Sequence, residues 1–181
     1  GINAEYGNTR MRQKTQELNK LLEVYNQDQT KEKYLDVLEG QLDLIKFLDL
    51  KILFPVASDL KSNIAKIKSA DKKHQEIGLE WGTYSLEFFM LFVYMFLTQD
   101  IEPKQAVAGA YEKILAPHHN GVQKALFLGV FKFLPAKEQF LKELQIDSRE
   151  QAVPVFEEFK RLVENVTPGV SRLSTSVDIS K

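Results

Sequence analysis

The sequence predicts an all-α fold of about eight helices, and three observations predict it. Apolar residues recur at three- and four-residue steps along most of the chain. No stretch alternates apolar and polar residues between turn signals, as strands do. Prolines and capping residues fall at the ends of the periodic segments.

The first helix is expected from Thr9 to Tyr25, with Leu18, Leu21, Leu22 and Tyr25 on one face. A second, from about Lys31 to Leu48, repeats the pattern through Tyr34, Leu35, Leu38, Leu42, Leu44, Ile45 and Leu48. The third runs from about Pro55 to Ser69 and aligns Leu60, Ile64 and Ile67. A long fourth spans about Lys73 to Thr98. Pro103 opens a fifth at a favoured first-turn position, and it ends before Pro117. The sixth begins near Asn120 and stops at Pro135, and a short seventh covers about Lys137 to Leu144. Ser148-Arg149-Glu150-Gln151 reads as a capping box for the last helix, with Pro154 in its first turns and Pro168 limiting its end. The polar tail, about 174–181, is expected to be loose. No composition break or fixed-period repeat divides the chain, so residues 1–181 read as a single domain.

Composition narrows the function. Apolar residues make up 44% of the chain, enough for a sizeable core. The formal net charge is -1, without the basic excess that nucleic acid binding requires. The absence of cysteine excludes disulfides and thiolate chemistry. The longest apolar run, Phe88 to Leu97, falls well short of the roughly 20 residues needed to span a bilayer. Gly1 to Lys20 lacks the apolar stretch of a secretory signal. A soluble, cytoplasmic protein is expected. His-Glu-x-x-His and Glu-x-x-His metal motifs do not occur, so no metal site is expected.

The third helix carries the most informative pattern. Asp59, Asn63 and Lys66 are spaced i, i+4 and i+7, on one face beside the apolar stripe. A carboxylate accepts hydrogen bonds, an ammonium donates them and an amide does both, a set that suits adjacent hydroxyl groups such as those of a sugar. The same spacing also describes a solvated face with a surface ion pair. Trp81 is the only tryptophan. Its indole can bury the CH face of a sugar ring or simply fill the core. His118 and His119 follow Pro117 at a helix junction, where capping or packing explains them as well as ligand contact does.

Taken together these features resemble the glycolipid transfer protein family. The resemblance rests on four motifs in order. They are Phe54-Pro55-Val56-Ala57-Ser58-Asp59 leading through Asn63 to Lys66; Trp81 with Leu86 and Phe88; Leu115-Ala116-Pro117-His118-His119; and Leu134-Pro135. Their order and spacing match the family over about Leu48 to Leu144.

The resemblance implies a two-layer helical sandwich that encloses an apolar lipid pocket. It implies that Asp59, Asn63 and Lys66 hydrogen-bond the sugar and the amide region, with Trp81 stacked on the sugar. The family histidine maps to His119, or to His118 if the register shifts by one. Phe88, Phe92, Leu126, Phe127, Val130 and Phe131 are the candidates for the pocket wall. The implied function is reversible docking at a membrane surface and transfer of one glycosphingolipid between bilayers. That work changes no bonds and requires neither enzyme activity nor a cofactor. Two alternatives use the same fold: a carrier of ceramide-1-phosphate-type lipids, and a lipid sensor or adaptor that binds without efficient transfer. The chain departs from the family at two places. The docking tryptophan expected two residues after the histidine is Gly121, or Asn120 in the other register. Tyr84 stands where a basic residue is usual.

Overall fold

The computed structural model describes residues 2–146 and 148–176, with side chains described over 11–146 and 148–166. Eight α-helices are present among them: α1 (Ile2–Gln27), α2 (Lys31–Leu48), α3 (Phe54–Lys68), α4 (Lys72–Thr98), α5 (Pro103–Ile114), α6 (Gly121–Phe131), α7 (Lys137–Glu143) and α8 (Arg149–Ser176). Short 3-10 turns at Lys51–Leu53 and Ala116–His118 lead into α3 and towards α6. The described residues contain no strand.

Local chemistry sets the helix starts. Thr30 accepts from the Lys33 N–H at 3.3 Å, and Asp71 from that of His74 at 2.9 Å. Asn120 and Gln123 close a reciprocal capping box at α6, with bonds of 2.9 and 3.0 Å. Ser148 caps α8 by accepting from the Gln151 N–H at 3.3 Å. Asp49 ends α2 in the left-handed region, at φ 51°.

Three boundaries differ from the sequence reading. α1 starts at Ile2 rather than Thr9. α6 ends at Phe131, before Pro135 acts. Pro168 does not end α8, which continues to Ser176. A helical proline removes one N–H and clashes with the carbonyl four residues back, a local loss of about 3 kcal/mol that the flanking turns can absorb. Of the tail expected to be loose, 174–176 is helical and 177–181 lies outside the described residues.

The fold is organised around α4, on which α3, α5 and α8 pack, while α1 bridges α2 and α8. Gly78 allows the tightest approach. A Cβ there would sit 2.6 Å from the Asn63 carbonyl oxygen and 2.8 Å from Ile67 Cγ1. The phenylalanines of the long apolar run fill the centre. Phe92 stacks on Phe140 at 5.6 Å, Phe96 meets the same ring edge-on at 4.9 Å, and Phe89 meets Phe159 of α8. Two pairs of polar side chains lock helix to helix at seven-residue spacing. Asn19 and Asn26 donate to the Val155 and Leu162 carbonyls, and Tyr34 and Gln41 donate to those of Leu79 and Ser85.

α6 is held differently. Only Phe127 and Phe131 of its residues are buried. Val122 and Leu126, and Phe133 just beyond the helix, are 81%, 59% and 81% exposed. Val122 and Leu126, four residues apart, fall on one side of the helix.

Candidate functional site

The close α3–α4 crossing makes one wall of a cavity of about 420 Å³, and the junction between α5 and α6 makes the other. Asp59, Ser62, Asn63 and Lys66 line it from α3; Ile77, Trp81, Ser85 and Phe88 from α4; Leu115, His119, Gln123, Leu126 and Phe127 close the far side. The cavity is amphipathic. Its lining combines the polar stripe and the indole with the apolar side chains of Val56, Ile77, Phe88, Leu115 and Phe127.

The two histidines part company here. His119 enters the wall, stacks on Trp81 at 5.6 Å and shares a 2.8 Å hydrogen bond between its Nδ1 and the Tyr111 hydroxyl. Burial first, and then the charges of His118 and Lys124, lower its pKa, so the ring is neutral at pH 7. A neutral imidazole tied at Nδ1 presents Nε2 for one further hydrogen bond. His118 lies outside the wall and stacks on Tyr84 at 4.1 Å. Burial, with help from the Glu80 carboxylate, pushes the Tyr84 phenol up to about 12. It therefore stays protonated and donates to Glu80 at 2.8 Å.

Asp59 sits at the cavity's exposed edge, yet the walls shed enough water from its carboxylate to raise its pKa. The Lys66 ammonium on the same helix face opposes that rise. Asn63 between them is buried. The cavity thus presents an acceptor, an amide and a donor in a row, beside a flat ring.

Of the six apolar candidates, Phe88, Leu126 and Phe127 reach this cavity. Phe92 and Phe131 do not. They stack on Phe88 at 6.3 and 6.0 Å and close the core behind it. Val130 lines a second hollow of about 730 Å³, with Leu48, Ile52 and Phe133. No group of three or more histidine, cysteine, aspartate or glutamate side chains among the described residues is placed to hold a metal.

Residues 70–146 match the family model described as glycolipid transfer protein. Solved structures extend that likeness along most of the chain. A fungal glycolipid transfer protein, HET-C2, aligns with a TM-score of 0.65 at 18% identity, over 79% of this chain and 84% of its own. Mouse ceramide-1-phosphate transfer protein, in its apo form, gives 0.69 at 17% identity over 91% and 98% of the two chains. The fold is that of the glycolipid transfer proteins. The Arabidopsis accelerated-cell-death 11 protein, solved with C12 ceramide-1-phosphate, gives 0.65 at 14% identity over 92% and 94%. No curated protein matches the chain by sequence.

The match to the glycolipid transfer protein model covers α4 to α7 and the loops between them. It includes Trp81 and both histidines but not the polar stripe of α3. The convergence of Asp59, Asn63 and Lys66 on Trp81 and His119 is therefore a separate, geometric observation. Sequence reasoning missed Ser62, Ser85 and Gln123 in the wall, and Tyr111 as the partner of His119. A short polar residue inside a helix carries no periodic signal, and the tyrosine's position eight residues before the histidine became meaningful only once the junction had folded.

Proposed function

We propose that this protein binds a membrane lipid with a neutral sugar headgroup and carries it between bilayers. The observation that carries this reading is the amphipathic cavity: Asp59, Asn63, Lys66 and Trp81 share its lining with Val56, Phe88, Leu115 and Phe127. Asp59 and Asn63 accept from and donate to sugar hydroxyls, the indole covers the sugar's CH face, and His119 Nε2 is left for the amide region. The hydrocarbon chains enter past Phe88, Leu126 and Phe127.

Docking uses the outer side of α6. Val122, Leu126 and Phe133, with Phe54 at 53% exposure, present apolar surface, and the exposed Lys124 and Lys132 flank it. Such a surface suits the headgroup boundary of a bilayer. No helix among the described residues is long and apolar enough to cross a membrane.

Ceramide-1-phosphate is the second reading, supported by the lipids named for two of the structural relatives. The charge in the wall disfavours it. Among the described residues of the wall Lys66 is the one ammonium, and the Asp59 carboxylate shares that wall. A phosphate usually recruits several charge-assisted donors.

Vesicle-to-vesicle transfer tests both readings. Asp59→Val removes a charged acceptor, which should cost about 2–4 kcal/mol of binding, a roughly 30- to 1000-fold loss. Transfer of glucosylceramide should collapse while the helical circular dichroism persists. Normal transfer by the folded variant would refute the site. In direct competition, equal or faster transfer of ceramide-1-phosphate by the unmodified protein would favour the second reading. Tight binding with slow transfer would instead mark a sensor.

A further inference from the structure

The polar wall does not stop at the headgroup stripe. Ser85 lies one turn further along α4 than Trp81, about 6 Å deeper at 1.5 Å per residue. It is 7% exposed and lines the cavity.

Its hydroxyl behaves unlike those of three helical threonines. Thr15, Thr83 and Thr98 each turn back and donate to the carbonyl four residues earlier, at 3.0, 2.8 and 2.7 Å. That is the usual resting place for a hydroxyl inside a helix. Ser85 Oγ makes no hydrogen bond among the described residues. A buried polar atom without a partner lies behind the same turn. Gln41, fully buried, donates from Nε2 to the Ser85 carbonyl at 3.1 Å, which leaves its Oε1 buried without a partner. Asn19 and Asn26 leave similar oxygens at the α1–α8 seam, away from the cavity. Ser85 is therefore the group that faces the ligand, and Gln41 fixes the turn behind it. A hydroxyl that lines a cavity and spends neither its proton nor its lone pairs within the helix is free to bond a polar group on a bound lipid.

We propose that Ser85 is a subsite for a hydroxyl group on the lipid's hydrocarbon, close to its amide. In a glycosphingolipid the amide lies just below the sugar, at the depth of Ser85 when the sugar rests on Trp81. The hydroxyl comes from a 2-hydroxyacyl chain or from a 4-hydroxy sphingoid base, and both offer Ser85 one donor and one acceptor. This inference rests on the glycolipid reading.

Three glucosylceramides of equal chain length separate the possibilities: one unsubstituted, one with a 2-hydroxyacyl chain, one with a 4-hydroxy base. Each is assayed for transfer from phosphatidylcholine vesicles by the unmodified protein and by Ser85→Ala. One hydroxylated lipid should move about 2- to 12-fold faster than the unsubstituted one, the range a single neutral hydrogen bond supports. Which of the two it is identifies the source. The ratio should fall to about one in Ser85→Ala, a change that suits a helix interior and keeps the fold. Equal transfer of all three by the unmodified protein, or an undiminished ratio in the variant, would overturn the subsite alone. Transfer of none would overturn the glycolipid reading together with it.

Discussion

Asp59 occupies a place that disfavours its charge. Loss of water raises its pKa above the ordinary carboxylate value, and Lys66 only partly offsets this. A folded-state pKa above the unfolded one means that ionisation opposes folding. The penalty is fully present above the folded pKa and is relieved as pH falls towards the unfolded value. Asp59→Asn should therefore melt at a higher temperature than the unmodified protein at pH 7, with the gap closing near pH 4, while transfer is lost. Thermal melts at the two pH values check it, and a less stable variant at pH 7 would contradict it. This residue was legible in the sequence because i, i+4, i+7 fixes a line on any helix, whatever the surroundings. The apolar candidates were not separable in the same way. Phe127 in the cavity wall and Phe92 in the closed core are both buried phenylalanines on apolar helices, and only the packing around them differs.

At the scale of the helix, the site depends on how closely α3 approaches α4. Gly78 leaves no room for even one methyl group, because the atom in the way is the backbone oxygen of Asn63. Gly78→Ala must push the helices apart. Overpacking of this kind typically costs about 1–3 kcal/mol. It should also widen the gap between Asn63 and Trp81, so glucosylceramide affinity should fall by more than the change in melting temperature explains. Isothermal titration beside a thermal melt separates the two effects, and an unchanged affinity would show that the crossing does not shape the site. The periodic pattern located all eight helices, because each buries one face. It placed some of their ends poorly. Pro168 is a strong local stop signal, yet α8 runs on past it.

For the molecule as a whole, the space available is the constraint. The cavity holds about 420 Å³, and the rings of Phe88, Phe92, Phe131 and Phe140 pack against one another in the interior. On the proposed function, two hydrocarbon chains require the helices to part. α6 is the element placed to move, since two buried rings hold it. Hydrogen exchange should find the amides of α6 opening well before those of α4, and becoming protected when glucosylceramide is bound. Equal protection of the two helices without lipid would point to a different entrance. The enclosure was implied by resemblance, but its closed form was beyond sequence reasoning, because apolar composition does not say whether space is filled or empty.

The two asparagines that tie α1 to α8 reach across 136 residues of chain. On a ribosome that adds about 5–20 residues per second, α1 waits roughly 7–27 s for those carbonyls to be made. In that interval α2 is the main element made so far that packs on α1, which carries Leu18, Leu22 and Tyr25. The seam that fixes the finished register is thus among the last to close during synthesis, and the early helical hairpin is the form of this protein that a chaperone would meet.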